Sequence, residues 1–323
     1  MSLLLHVLII LVSAYLCQYL LQLYIARTSP LFLDVPNSRS SHSSPKPTAG
    51  GIVFVILPVS LICFTSLFMN LPSILYVQIL AFPLALVGLF DDYFRLPIIT
   101  RLIFQTFTAF FLVLASPLAS TLLTVKPLNI LCLLTILLSI VAFINFANFM
   151  DGLDGLLAGS LSIAILFIYY YFSAPLLVFI LIGSLFGFLS LNWSPSQIFM
   201  GDVGSTYLVA VFAGSVLQAP TGHLAFETLF LVTPLIADPL STLLRRYLSR
   251  QPLHSAHRMH LYQRLHQAGW SHASVSSLYI SATALIAFSS FVPGLFCTIL
   301  TSTCVILLGI YLDRYVANPY ITP

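Results

Sequence analysis

The sequence predicts an all-α fold, a polytopic helical bundle embedded in a membrane, and three observations predict it. The chain is 59% hydrophobic and 7% charged, with a mean hydropathy of +1.03, whereas a soluble domain carries roughly 25% charged residues. Apolar stretches of about 20 residues, the length that crosses a ~30 Å hydrocarbon core, recur from one end to the other. The stretches are continuous rather than alternating at period two. Backbone polar groups in lipid must pair internally, so the choice lies between helices and a closed barrel, and the continuous runs decide for helices.

Eleven spans follow in order: 2–25, 50–69, 74–90, 98–116, 129–147, 156–173, 175–191, 204–221, 224–241, 275–292 and 294–312. The first lacks a basic leading region and a small-residue cleavage site, and is too long for a signal-peptide core, so a retained helix is expected. Ala174 alone divides the sixth span from the seventh, and Pro293–Gly294 divides the last two. With the amino terminus outside, Arg27, Arg39, Lys46, Arg95, Arg101, Arg245, Arg246, Arg250, Arg258, Arg264 and Arg314 fall on one face, leaving only Lys126 on the other. That asymmetry makes the basic face cytoplasmic. Its loops are expected at 26–49, 91–97, 148–155, 192–203 and 242–274. The cysteines (Cys17, Cys63, Cys132, Cys297, Cys304) lie inside apolar spans without CxxC spacing and read as packing residues. With no internal repeat and no soluble segment, residues 1–323 are expected to form one membrane domain.

Acids are scarce, 9 in 323 residues, and their placement carries the functional argument. Asp91 and Asp92 follow the third span, Asp151 and Asp154 the fifth, and Asp202 the seventh, all toward the basic face. Adjacent carboxylates in "LFDDYFRLPIITR" repel unless a cation intervenes. A solvated pair is the bland reading, but at a membrane mouth ionisable residues point to function, and Arg101 is placed to face an anion. In "NFANFMDGLDGLLAG", Asn145, Asn148, Asp151 and Asp154 recur every third residue. Each step of three drifts by about 60° on a helix, so all four share one broad face. Their oxygens suit a hard divalent cation such as Mg²⁺; two Asp-Gly turns are the competing reading, though they leave the asparagines unexplained.

Asp202 lies in "NWSPSQIFMGDVGST" between Gly201 and Gly204, where Ser205 and Thr206 are candidates to cap the next helix and its amino-terminal end favours phosphate. A simple capped loop explains the string equally well. In "HSAHRMHLYQRLHQAGW", His257, His260 and Arg264 share a face if the segment is helical, and could then hold a diphosphate. A histidine zinc site and an unliganded polar helix are the alternatives. Taken together, carboxylates bridged by Mg²⁺ beside cationic phosphate holders suit phosphoryl transfer to or from a lipid. A cation- or proton-coupled transporter is the rival reading, but its sites lie near the midplane in paired repeats, whereas these acids gather at one face. A catalytically dead scaffold is a further rival.

From about Asp34 to Trp270 the motifs resemble the polyprenyl-phosphate N-acetylhexosamine-1-phosphate transferase superfamily (glycosyltransferase family 4), in order and sidedness. The resemblance implies transfer of a sugar-1-phosphate from a UDP-sugar to undecaprenyl phosphate, releasing UMP and forming a lipid-diphosphate-sugar. It implies Mg²⁺ as cofactor, with Mn²⁺ as an alternative ion, and a site on the cytoplasmic face of the bacterial inner membrane. Matched to the family, Asp91 and Asp92 are the aspartate pair, one of which prepares the lipid phosphate or, in an older proposal, acts as nucleophile. A direct in-line attack is preferred. Asp151 and Asp154 match the DGxDG acids and stand with the pair as catalytic candidates; Asn148 and Asp202 match metal-associated positions. Asn145, Asn192, Arg101, His257, Arg258, His260 and Arg264 are the substrate-binding candidates.

"HRMHLYQRL" lacks the three consecutive histidines of the muramoyl-pentapeptide enzymes. With "DVPNSRSSH" (Asp34 to His42) it looks more like the branch that initiates O-antigen, lipopolysaccharide and similar surface polysaccharides, often with N-acetylfucosamine or N-acetylquinovosamine. Ala49 stands where that branch often carries Arg. An N-acetylglucosamine-1-phosphate transferase of the same superfamily is the alternative. Expected partners are undecaprenyl phosphate, a UDP-N-acetyl sugar, membrane lipids and a second copy in a homodimer, with no nucleic acid.

Overall fold

A computed structural model describes residues 3–27, 33–36, 44–124, 126–252, 257–292 and 295–320. Arg39, His42, His254 and the Pro293–Gly294 break lie outside the described residues. The chain is a bundle of apolar helices. Among the described residues six are long and apolar enough to cross a membrane: α1 (Leu3–Arg27), α3 (Ser73–Phe94), α6 (Pro127–Met150), the broken segment Gly222–Leu248, α13 (His272–Ser289) and α14 (Leu295–Tyr315). Shorter apolar helices complete the set: α2 (Gly51–Ser66), α4 (Ile98–Leu114), α7 (Leu156–Tyr171), α8 (Phe179–Asn192, entered by a 3-10 turn at Leu176–Val178) and α9 (Gly201–Leu217). Each expected span meets one of these eleven. The segment Gly222–Leu248 is α10 (Gly222–Leu229), a 3-10 turn (Phe230–Val232) and α11 (Thr233–Leu248); Pro234, which lacks an N–H, opens α11 where that donor would be unpaired anyway. Two short helices, α5 (Ala119–Leu122) and α12 (Leu261–Gln267), lie in connections.

Helix α9 is the axis of the bundle, buried on every side from Val203 to Leu217, and it packs against α2, α3, α4, α6 and α7. An all-round apolar helix has no solvent face to present, and this one has neighbours on all sides. Hydrocarbon tails are as apolar as leucine, so helix association in a bilayer rests on close packing and interhelical hydrogen bonds. Both occur here. Gly183 and Gly187 of α8, four residues apart, let its backbone approach Ile10, Ser13 and Ala14 of α1; an added methyl at either would collide with that helix. At the end of the bundle that holds Lys126, Ser73 Oγ donates to Gln218 Oε1 (2.7 Å) and Gln218 Nε2 donates to the Ala115 carbonyl (2.9 Å). Leu, Phe and Tyr side chains of α1, α4, α6 and α14 coat the outside.

The opposite end carries the polar connections. A two-residue antiparallel pairing, β1 (Leu33–Asp34) with β2 (Lys46–Pro47), brings the first connection back to the bundle. Pro47 then accepts from Phe199 N–H (2.8 Å), while Gly50 and Gly51 donate to Phe199 and Met200 (2.9 Å each). The segment before α2 is thus sewn onto the segment before α9.

Several boundaries differ from the sequence expectation: three move functional residues from loop into helix, and one does the reverse. Helix α3 runs through Asp91 and Asp92 to Phe94, stopping where Arg95 turns left-handed. Helix α6 runs to Met150 and so includes Asn148, with Asp151 just beyond its last turn. Helix α9 begins at Gly201, so Ser205 and Thr206 lie inside it rather than capping it. In the last basic connection the helix begins only at Leu261; His257 and His260 precede it, so the shared helical face expected with Arg264 does not form.

Candidate active site

Asp92 is the residue from which the site is built. Its Oδ1 accepts the Asp202 N–H (3.0 Å) and its Oδ2 the Val203 N–H (3.4 Å). The first turn of a helix has unpaired N–H groups and a partial positive charge, so a carboxylate from α3 caps α9. Those donors, expected to be open to phosphate, are therefore engaged by Asp92. Gly88, one turn before Asp92, makes this possible: any side chain there would strike the Asp202 backbone.

Asp91 faces the other way. Its Oδ1 accepts the Leu96 N–H (2.6 Å), and its Oδ2 accepts from Arg101 Nη1 (2.8 Å). The same guanidinium nitrogen lies 3.6 Å from Asp202 Oδ2, so Arg101 is the cation between two acids. Asn148 Oδ1 accepts from Ser205 Oγ (2.8 Å), and Asn145 Nδ2 donates to Gln105 Oε1 (2.8 Å). Asp91, Arg101, Gln105, Asn148, Asp202 and Thr206 line a cavity of about 10 Å³, room for one water-sized sphere. Asp151 stands beside them: enclosure of its carboxyl, then the charges of Asp202 and Asp92, push its pKa well above the usual carboxylate range. Negative charge here exceeds what one arginine offsets.

Asp154 and Asn192 are brought together, but for a different task. Asp154 Oδ1 accepts from Ser196 Oγ (2.7 Å), its Oδ2 from Ser196 N–H (3.2 Å), and His272 Nδ1 lies 3.2 Å from Oδ2. Burial alone would raise its pKa, but the hydrogen bonds from His272 and Ser196 outweigh it and hold the carboxyl at about 2. Asn192 Oδ1 accepts the Gly155 N–H (3.0 Å) while its Nδ2 donates to the Ile198 carbonyl (2.8 Å). These two residues tie the turn after α6 to the segment before α9. Because α6 ends at Met150, Asp154 leaves the face shared by Asn145 and Asn148.

The histidine segment meets the acids at Phe149. The His260 ring stacks on Phe149 (5.8 Å between centroids) and lies 4.9 Å from the His257 ring. Tyr262 Oη donates to the Phe149 carbonyl (2.7 Å). Burial, then His260 and Arg246, push His257 down to about 4, so it is neutral at physiological pH. The Arg258 carbonyl accepts from Gln267 Nε2 (3.1 Å). Arg264 points elsewhere: it is buried, donates to the Asn318 carbonyl (2.8 Å) and pairs with Asp313. It belongs to the contact between α12 and the end of α14, away from the acids.

Two residues outside every motif also serve this end of the molecule. Lys46 Nζ donates to Ser196 Oγ (2.9 Å) and lies over the Phe199 ring. Asp238 of α11 is buried and accepts from the start of α12. An acid inside a span otherwise rich in apolar residues is the signal that marks Asp238 in the sequence.

Residues 74–219 match the sequence model of the family described as Glycosyl transferase family 4. The chain is thus similar to that family over less than half of its length. That stretch holds Asp91, Asp92, Arg101, Asn145, Asn148, Asp151, Asp154, Asn192 and Asp202; the histidine segment lies beyond it. Over 109 residues the chain is 36% identical to a "Probable undecaprenyl-phosphate N-acetylglucosaminyl 1-phosphate transferase" of Bacillus subtilis (strain 168), covering 31% of this chain and 30% of that protein. Over 120 residues it is 29% identical to a "Phospho-N-acetylmuramoyl-pentapeptide-transferase" of Clostridium beijerinckii, covering 35% of this chain and 34% of that one. The matched stretches thus span about a third of each relative.

Among the described residues no three of His, Cys, Asp and Glu gather closely enough to hold a metal ion by themselves. The donor chemistry nonetheless fits Mg²⁺, which is commonly held by one or two carboxylates together with substrate phosphates rather than by an all-protein cage. Asp202 and Asn148 offer such oxygens at the small cavity, with Asp91 and Asp151 adjacent.

Proposed function

We propose that the protein is a polyprenyl-phosphate N-acetylhexosamine-1-phosphate transferase of the bacterial inner membrane, with its site facing the cytoplasm. The observation that carries this reading is the convergence of Asp91, Asp202 and Asn148 around Arg101, with Asp92 on the first turn of α9 beside Asp202, at one end of an apolar bundle and within the stretch that matches family 4. An oxygen of the lipid phosphate attacks the β-phosphorus of a UDP-sugar. The new P–O bond forms as the bond to the bridging oxygen breaks, and UMP leaves with that oxygen. Bound Mg²⁺ would neutralise charge on the diphosphate, with Asp202 and Asn148 as the residues to hold it.

The protein's part is positioning and charge. Asp92, oriented by two N–H groups of α9, accepts a proton so that the lipid phosphate attacks as the dianion. Arg101, braced on Asp91, faces the incoming phosphates. His260 and Arg258 approach from the histidine segment to hold the nucleotide diphosphate, with neutral His257 beside them. In-line attack needs no covalent intermediate on Asp91 or Asp92. The form of "HRMHLYQRL" supports a 6-deoxy N-acetyl sugar and a place at the start of O-antigen or a related surface glycan; the Bacillus relative supports N-acetylglucosamine as the second reading.

Purified protein in lipid, given undecaprenyl phosphate, Mg²⁺ and a panel of UDP-N-acetyl sugars, should release UMP only when the lipid is present and should stop with EDTA. The preferred sugar decides between the two readings. Folded protein that releases UMP with no sugar on the panel removes the proposal.

A further inference from the structure

Asp238 lies on α11, outside the family 4 stretch, and is 5% exposed. A buried carboxylate is costly unless its lone pairs are met, and here three elements meet them. Oδ1 accepts the Leu261 N–H (2.7 Å) and Oδ2 the Tyr262 N–H (3.1 Å), the first two amides of α12. Oδ2 also accepts from Tyr279 Oη of α13 (2.7 Å), and Thr242 Oγ1 lies 3.5 Å from Oδ1. The remaining neighbour is His260. Its Nδ1 is buried without a hydrogen-bond partner and lies 3.6 Å from Asp238 Oδ1. The opposite ring nitrogen is then the one left for a ligand, with the ring plane set by Phe149 on one side and Tyr262 near by.

Backbone anchoring and ring steering come from one side chain. Leu261 follows His260 directly, so gripping its amide places the histidine backbone, while the same oxygen faces the imidazole. A carboxylate that orients a histidine through its second nitrogen sets which nitrogen meets the substrate. We propose that Asp238 is a positioning residue for nucleotide-sugar binding: from α11, without touching substrate, it seats the histidine segment and turns His260 toward the acids. This rests on the transferase reading above. Tyr279, from α13, holds Asp238 in register for that task.

The test uses the full chain in lipid nanodiscs. Asp238→Asn keeps the shape and an acceptor but removes the charge. It should raise KM for the UDP-sugar about tenfold or more and leave KM for the polyprenyl phosphate within about twofold. Placed on His260→Ala, it should cost less than about a further twofold, because residues acting through one another are not additive. Unchanged kinetics, or losses that multiply in the double variant, would overturn the proposal, since a merely structural acid acts independently of His260. Should Asp238→Asn not fold, Tyr279→Phe should shift the same KM by about two- to fivefold, and wild-type behaviour would count against the idea. A wild type without turnover defeats the transferase reading instead. The anchoring is then read by hydrogen exchange across residues 257–267, which quickens in Asp238→Asn if it is right and stays at the wild-type rate if it is wrong.

Discussion

Two aspartates near the site carry opposite duties, and substitution separates them. Asp92 shows its carboxylate to the acid cluster while accepting from Asp202 and Val203. Asp92→Asn keeps an acceptor for α9, so the protein should fold while turnover falls by ~10² to 10⁴, the usual loss when a proton acceptor is removed; near-normal activity would take Asp92 out of the mechanism. Asp154, bound by Ser196 and His272, should behave the other way. Asp154→Asn leaves buried donors unmatched and should cost about 1–3 kcal/mol of stability, seen as a lower melting temperature in detergent. The pH dependence follows from its depressed pKa. A carboxyl at about 2 when folded, against an ordinary 3.8, contributes stability that is complete above about pH 4 and is lost as the pH falls toward 2. The gap between wild type and Asp154→Asn should therefore narrow across that window. A gap that stays constant from pH 5 to 2 would mean the charge of Asp154 is immaterial. In the sequence the two residues look alike, as scarce acids at the ends of apolar runs. Which one faces the cluster depends on where α6 stops, and a three-residue repeat carries no information about that.

At the scale of elements, apolar length was legible and helix ends were not. Span after span coincides with a helix because hydropathy alone decides what enters a bilayer. The ends extend past the apolar runs because polar residues continue a helix when something pairs them: Arg101 holds Asp91, Ser205 holds Asn148, and α9 holds Asp92. The histidine segment misled for the reverse reason. Its helical spacing is real only from Leu261 onward, since Asp238, some twenty residues earlier in sequence, supplies the cap. The last basic connection is also clamped from behind. Asp313 of α14 pairs with Arg245 of α11 and Arg264 of α12, and Tyr320 lies against both guanidinium groups. Breaking a buried pair by removing one partner typically costs about 3–5 kcal/mol; Arg245 is partly exposed, so Asp313→Ala should fall at the lower end, mainly through the stranded Arg264. The measurement is thermal unfolding in detergent. A melting temperature equal to wild type would show that the clamp carries no stability.

The whole molecule has two unlike ends. The segment before α2 bonds to the segment before α9, Asp154 ties the turn after α6 to that same segment, and Asp92 reaches the first turn of α9 from α3. Connections far apart in sequence thus meet at one end, as the distribution of Lys and Arg required, and Lys126 stands in the connection ahead of α6 at the other. On the transferase reading proposed above, the polar end would meet a water-soluble nucleotide sugar while the lipid phosphate arrives from the bilayer, and that reading places it on the cytoplasmic side. In a cysteine-free background, a cysteine at Arg250 should label with an impermeant maleimide only after cells are permeabilised. A cysteine at Lys126 should label in intact spheroplasts. The reverse pattern would invert the protein, setting the acid cluster opposite its proposed donor, and would sink the transferase reading even with every distance in the site unchanged.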